Sequence, residues 1–406
     1  MKKMKQRIEK MDVKGKRVIV RVDYNVPIRS GFILDDTKII ASLETIRFLI
    51  KNNCKIILLS HLGKVKTEED KYRNSLEPVA KRLKELLNHE VYFSHEIMSP
   101  SVQERVKLLK EGEILLLENT RFLDVPNKLE SSCNTQVSSF LASLGDIFIN
   151  DAFSSSHRAH ASTVGITKYI SSGIGFSVEK ELAAIDKFLK NPEHPFTLIM
   201  GGAKVEDKLS LIETLLPKCD HLLLAGGLAN SFLKALNFNI GASLATTDKK
   251  IIEKLKQILL NHREKLMLPL DAIVGSSYDK NYTRYRKINE IDDNEIILDI
   301  GVHTLAKYRL AIKESNTIFL NGTMGLYEDS RFSNGTKELL TILKDSSAVV
   351  VVGGGDSVSA VNHFGFSNDL TYLSCGGGAT LEYLIEGHLV GIDCITEESN
   401  VEILDV

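Results

Sequence analysis

The sequence has no excess of either charge, few cysteines and no long apolar run, and each shortage removes a class of function. Lys and Arg number 51 against 53 Asp and Glu, a formal net charge of −2, so the chain has no overall electrostatic footprint for nucleic acid or an anionic membrane. Any anion site must therefore be local. The five cysteines, Cys54, Cys133, Cys219, Cys375 and Cys394, are widely separated and form no CxxC pair, which argues against both a disulfide framework and a thiolate metal cage and leads us to expect a reducing cytoplasm. No apolar stretch approaches membrane-spanning length, and the basic opening MKKMKQRIEKMD is not followed by the apolar run of a signal peptide. Three nucleotide signatures are also missing. There is no GxxxxGK[ST], no GxGxxG after a first strand, and neither HRD nor DFG, which excludes a P-loop enzyme and weakens a dinucleotide-binding reading.

What is present is one pattern used twice. At 406 residues the chain is longer than one hydrophobic core usually serves, so two domains are expected. Short apolar runs, each followed by a polar or glycine cluster and then a helical period, read as buried parallel strands of an α/β fold. They are RVIVRVDYN, KIILLSHLG, EILLLENTRF and DIFINDAF, then FTLIMGGAK, HLLLAGG, TIFLNGTMG, AVVVVGGGDS and LTYLSCGGGAT. First-half strands run out into Asp23, Asn25, His61, Arg121, Asn150 and Asp151, second-half strands into glycines. Ligands of open parallel sheets bind beyond the carboxyl ends of strands, so each half offers a site, and the two differ in chemistry. Between them SVEKELAAIDKFLKNPEHP has helical spacing and stops at Asn191–Pro192, as a connecting helix would. No short-period repeat or low-complexity tract is evident.

A glycine turn between strand and helix lets backbone N–H groups approach an anion, and phosphate is the usual beneficiary. In VVVVGGGDSVSA, Asp356 follows three glycines; it can cap the helix, hold Mg²⁺ beside phosphates, or both. GGAKVEDK carries Lys204 and Lys208 four apart, on one face if the helix has begun. NDAFSSSHRAHAS brings His157 and His160 around Arg158; with no clear third or fourth ligand this reads as a basic recognition loop rather than a zinc site. Arg21, Asp23, His61, Lys64 and Arg121 add cationic and hydrogen-bonding groups at other strand ends, which suggests a small polyanionic substrate.

RVDYNVP, SHLGK, LLENTRF, NDAFSSSHRAHAS, GGAKVEDK, LNGTMG, VVGGGDS and CGGGATLE, in this order, closely resemble the motifs of the phosphoglycerate kinase family, from about Lys14 to about Gly391. The resemblance implies two Rossmann-like domains with parallel sheets facing each other across a hinged cleft. Residues 1–175 would bind 3-phosphoglycerate, 176–191 would form the interdomain helix, 192–390 would bind nucleotide, and the tail, about 391–406, would pack back near the first domain. It implies reversible phosphoryl transfer between 1,3-bisphosphoglycerate and Mg-ADP by a cytoplasmic monomer with no nucleic-acid or membrane partner. Asp23, Asn25 and His61 would bind the glycerate portion, and Lys64, Arg121 and Arg158 its non-transferring phosphate. Lys204 would steady the moving phosphoryl group and Lys208 the nucleotide phosphates. Asp356 would partner Mg²⁺, with Gly354, Gly355 and Ser357 at the phosphates, Glu328 at the ribose, Asn321 near the transferring group, and Gly227 and Gly301 lining the adenine pocket.

The chain departs from the family pattern at three places. Lys38, in DDTKII, stands where the family has a catalytic arginine; SHLGRP becomes SHLGKV, and the NGPMG type becomes NGTMG. Lysine keeps the charge but loses the planar fork that bridges two oxygens. Two readings from other classes remain open on sequence grounds: a weakened paralogue that binds ADP/ATP or another protein, and a different α/β enzyme such as an NAD-dependent dehydrogenase.

Overall fold

A computed structural model describes residues 4–398; of the expected tail, 399–406 lie outside the described residues. The chain divides into two compact units, one running to Ala183 and resumed from Glu386, the other Ala184–Ile385.

The first unit is built on six parallel strands: β1 (Arg17–Val22), β2 (Lys55–Leu59), β3 (Val91–Ser94), β4 (Ile114–Leu117), β5 (Ile147–Asp151) and β6 (Ser172–Ile174). Their order is β3-β4-β2-β1-β5-β6. The central strands are aliphatic and almost wholly buried, as a sheet covered on both faces requires. Helix α1 (Thr37–Lys51) packs on it through Ile39, Leu43, Ile46 and Leu49, residues at helical spacing. From β1 the chain first builds outward through β2, then returns to the other side of β1 as β5. The carboxyl ends of β1 and β5 therefore form the topological switch point, where such sheets receive ligands. The chain's return from Glu386 is woven into this unit. Gly391 N–H donates to the Ser156 carbonyl at 2.7 Å, the Gln6 N–H to the Thr396 carbonyl at 2.8 Å, and Glu398 binds Arg7 and Lys10.

Helix α2 (Phe176–Ile185) leaves the first unit from a buried anchor: Asp151 Oδ1 accepts the Ser177 N–H at 2.8 Å, and the Thr45 hydroxyl accepts that of Phe176 at 3.0 Å. The boundary between the units falls within it, and a wider π turn over Asp186–Lys190 follows.

The second unit repeats the plan with β7 (Phe196–Met200), β8 (His221–Leu224), β9 (Leu266–Met267), β10 (Thr317–Asn321), β11 (Val349–Val352) and β12 (Tyr372–Leu373), ordered β9-β8-β7-β10-β11-β12. Its switch point lies between β7 and β10. Helices α3 (Leu209–Leu215), α4 (Gly226–Ala235), α5 (Val302–Glu314) and α6 (Gly355–Phe364) follow. The unit also contains a three-stranded antiparallel sheet over Asp271–Ser276, Arg284–Lys287 and Glu295–Ile300, which the apolar runs do not reveal. One of its two edge strands, RYRK, is largely exposed and so lacks an apolar signature.

Candidate active site

In the first unit the chain leaves β1 as Asp23, Tyr24 and Asn25, and the Asp23 carboxylate becomes a hub. Oδ1 accepts the Asn25 N–H at 3.0 Å; Oδ2 accepts from Lys38 Nζ at 2.7 Å and from the Ser154 hydroxyl. Lys38 comes from the first turn of α1 and Ser154 from the turn after β5, so one carboxylate ties three segments at the switch point. Burial pushes the Asp23 carboxyl upward, but the ammonium of Lys38, the neighbouring His61 and the hydrogen bonds from Lys38 and Ser154 outweigh it and hold the group at about 2.

The loop after β2 supplies the next contacts. Asn25 Oδ1 accepts the Gly63 N–H at 2.8 Å, and Arg121 donates to the Gly63 carbonyl at 2.7 Å. Gly63 has φ +63°, and a Cβ there would fall 2.0 Å from the Asn74 amide oxygen, so a side chain at this position would be strained and would displace Asn74. Lys64 and Arg158 are exposed, Arg158 with its Nε 3.0 Å from His157 Nε2.

Arg21 behaves differently from the strand-end cation expected. It is fully buried and spends its donors inward, on the Val22 carbonyl (2.6 Å), the Ser162 hydroxyl (2.9 Å) and His61 Nδ1 (3.1 Å). Burial and the nearby Arg21 push His61 well below its usual range. His160 is pushed to about 4 by burial and by Arg21, Arg121 and Arg158. Burial and then Arg158 lower Arg121. Both histidines are therefore neutral near pH 7, and the positive charge is carried by lysine and arginine crowded against their mutual repulsion, an arrangement that favours an anionic ligand.

In the second unit the switch point is made of bare backbone. A Cβ on Gly201 would fall 1.9 Å from the Thr323 carbonyl oxygen, and one on Gly322 would fall 2.2 Å from that of Gly201, so the loops after β7 and β10 meet only because both positions are glycine. Gly354 has φ +91° and leads into α6. Nothing lies within 4 Å of where a Gly355 side chain would begin, which leaves the amide ends of α6 open to an anion. Asn321 closes the cradle: its Nδ2 donates to the Gly353 carbonyl at 2.8 Å, and its Oδ1 accepts from Lys208 Nζ. Ser357 Oγ accepts the Gly322 N–H. Burial lowers Lys208, and Asp356 and Asp207 act against it.

Two local expectations are corrected here. Residues 205–208 form a turn, and α3 begins only at Leu209, so Lys204 and Lys208 do not share a helical face; Lys204 is exposed, whereas Lys208 folds back on Asn321. Asp356 is not the helix cap. That position falls to Gly354, and Asp356 sits in the first turn of α6, exposed, where its charge favours the helix dipole.

Gly227 and Gly301 have packing reasons of their own. A Cβ would fall 2.2 Å from the Ala203 carbonyl oxygen at Gly227 and 2.3 Å from the Asp271 carboxyl carbon at Gly301. Asp271 in turn accepts the N–H groups of His303 and Thr304 and so caps α5. Glu328 is exposed, and its charge and that of Asp356 both reach Tyr327, whose phenol burial pushes upward. Among the described residues no group of three or more His, Cys, Asp or Glu could hold a metal. A single open carboxylate beside an open glycine turn does suit Mg²⁺, which is commonly held by one or two carboxylates together with ligand phosphates.

Sequence reasoning missed Glu130 and gave Ser154 and Ser162 no role. Ser154 and Ser162 lie within a quoted motif, but hydroxyls carry no periodic signal, and Glu130 is far from the others in sequence.

Comparisons with known proteins agree on one family. The family model described as Phosphoglycerate kinase matches residues 8–388. The phosphoglycerate kinase of Lactobacillus gasseri is 42% identical over 400 residues, and that of Lactobacillus delbrueckii subsp. bulgaricus 43%; each match covers 96% of this chain and 99% of the relative. Among solved structures, phosphoglycerate kinase from Coxiella burnetii superposes with a TM-score of 0.82 at 35% identity, and that from Pyrococcus horikoshii OT3 with 0.83 at 30%. Each covers 96% of this chain and 98% of its own.

Proposed function

The chain belongs to the phosphoglycerate kinase family, and from that premise we propose how its residues divide the work of the reaction. The enzyme transfers a phosphoryl group reversibly between 1,3-bisphosphoglycerate and ADP, giving 3-phosphoglycerate and ATP, a step of glycolysis and gluconeogenesis. In the first unit Asp23, Asn25 and neutral His61 orient the glycerate, and Lys64, Arg121 and Arg158 neutralise the phosphate that stays. Lys38 places its ammonium where the transferring group arrives. In the second unit Gly354, Gly355 and Ser357 receive the nucleotide phosphates, Lys208 and Asn321 steady them, Glu328 meets the ribose, and Gly227 and Gly301 border the base. Exposed Lys204 is free to follow the moving phosphoryl group.

Phosphoryl transfer asks little covalent chemistry of the protein, so these residues act by in-line positioning and by stabilising charge on the equatorial oxygens. No general base is required, which suits a site whose histidines are held neutral. Mg²⁺, held by Asp356 and the nucleotide phosphates, would neutralise phosphate charge when bound. The two ligands belong to separate units and must meet with water excluded, so hinge closure is part of the proposal, as are a monomeric state and a cytoplasmic setting. Small-molecule substrates are its partners.

The observation that carries this division is the contrast between the switch points: cations and hydrogen-bonding side chains at β1/β5, bare glycine backbone with Lys208 at β7/β10. ADP formation from ATP that depends on both 3-phosphoglycerate and Mg²⁺ tests it. ADP release unaffected by 3-phosphoglycerate would overturn it.

A further inference from the structure

Arg21 presents a puzzle that substrate binding does not solve. A guanidinium at the carboxyl end of β1 would be expected to serve an anion, yet this one is completely buried, and its three nitrogens turn toward protein groups. Its Nε–H reaches Ser162 Oγ at 2.9 Å, one terminal nitrogen reaches the Val22 carbonyl at 2.6 Å, and the other lies 3.1 Å from His61 Nδ1. Arginine can only donate. The contact with His61 therefore requires Nδ1 to be the unprotonated acceptor, and the ring proton is left on Nε2. Behind Arg21, the Ser162 hydroxyl that accepts from Nε donates in turn to Glu130 Oε1, and the Ser162 N–H reaches Glu130 Oε2 at 3.2 Å. Glu130 is fully buried. A buried cation without a counter-charge would be strongly unfavourable, and a buried carboxylate one hydroxyl away supplies it.

We propose that Arg21 is a positioning residue that fixes His61 as the Nε2–H tautomer, and that Glu130, through Ser162, supplies the buried counter-charge that holds Arg21 in place. The inference rests on the reading of His61 as a ligand-binding group and deepens it. His61 offers a substrate oxygen one oriented donor and no charge, while the charge at the site comes from Lys38, Arg121 and Arg158. Protonation at Nδ1 would set two donors against each other at 3.1 Å. The groups bearing on the ring are Arg21, Asp23, Arg121 and Lys38; the three cations oppose a second proton and Asp23 alone favours it. Glu130 is pushed upward by burial and drawn back by Arg21 and by the Ser162 hydroxyl, which keeps the counter-charge coupled to the residue it serves.

The test begins with the ligand-free full chain labelled with ¹⁵N-histidine. His61 should show an unprotonated Nδ1 and a protonated Nε2, unchanged from pH 8 down to about one unit below the ordinary histidine value of ~6.5. A protonated Nδ1, a mixture of tautomers, or an imidazolium at pH 6.5 would overturn the proposal, whether or not His61 contacts substrate. Adding 3-phosphoglycerate then tests the underlying reading separately, because Nε2 should shift on binding while Nδ1 does not. Arg21→Met should raise KM for 3-phosphoglycerate about tenfold, as loss of a charge-assisted hydrogen bond would, and make it pH-dependent around pH 6–7, with KM for ATP unchanged. Arg21→Lys, which keeps a buried cationic donor, should restore part of the loss. A rise in both KM values with no pH dependence would assign Arg21 to packing and refute the positioning role.

Discussion

Replacing Lys38 by alanine should damage stability and catalysis by separable mechanisms, and the Asp23 contact gives the size of the first. The ammonium lies 2.7 Å from Asp23 Oδ2, with the two side chains 29% and 11% exposed, so the pair is shielded from solvent. Asp23 is held at about 2, below an ordinary aspartate at ~3.9, a native-state preference for the ionised form on the order of 2–3 kcal/mol. Lys38 is the largest of the groups that lower it, and we assign it ~1–2 kcal/mol. The sign follows from linkage. A depressed carboxyl contributes its full stability above its unfolded value, near pH 4, and loses it as pH falls through its folded value. The deficit of Lys38→Ala, measured by urea unfolding, should therefore be largest at pH 7 and should narrow between about pH 4 and 2.

Catalysis should suffer more. Loss of a cation aimed at charge that develops in the transition state costs about 10²–10³ in kcat, and steady-state kinetics with saturating 3-phosphoglycerate should show it. Lys38→Arg should act in the opposite direction, raising kcat with little change in affinity, because the guanidinium can hold Asp23 and still present a second donor. Arg21 is not in competition for that space, since its donors are committed to Val22, Ser162 and His61. An unchanged kcat in Lys38→Ala would show that this position is not catalytic. A stability deficit that persists undiminished at low pH would show that the Asp23 pair is not its source.

Asp356→Asn should sharply weaken Mg²⁺-dependent nucleotide binding in calorimetry while leaving 3-phosphoglycerate binding nearly intact; equal loss of both would point to a structural role. Lys204→Ala should lower kcat by about 10³-fold with little change in either KM, as expected of a cation used in phosphoryl transfer, and a rise in KM alone would make it a ground-state contact. Small-angle scattering of the four ligation states should show the smallest radius of gyration with both ligands bound, and an unchanged radius would argue against closure.

What could be read from sequence and what could not divide along a physical line. Strands buried on both faces announce themselves as aliphatic runs, so β1, β2, β4, β5, β7, β8, β10 and β11 all lie within runs such as RVIVRV and VVVV. Edge strands need no such composition. VYFS at β3, SGI at β6 and LM at β9 are short, and two of them are half-buried, so they leave no periodic trace. The site follows the same rule one level down. Residue types at strand ends were legible because parallel strands all end at the same edge of the sheet, but what each side chain does there depends on partners distant in sequence.

Arg21 and Lys208 make the point most directly. Both are cations at strand ends, and sequence alone treats them alike as candidates for anion contact. Arg21 is one residue before the end of β1, so its side chain still belongs to the buried sheet, and Ser162, 141 residues on, meets it there. Lys208 lies eight residues beyond Met200 and escapes the sheet only because 205–208 stays a turn instead of joining α3. Had the helix begun at Lys204, the two lysines would share a face; as a turn, the segment leaves one exposed and directs the other to Asn321. Gly201 and Gly322 make that turn possible, because their missing side chains let the β7 and β10 loops touch and set Asn321 within reach of Lys208. The functional difference between a cation that shapes its neighbour and one that can meet a ligand is thus set by backbone approach, which glycines permit but only the folded chain discloses.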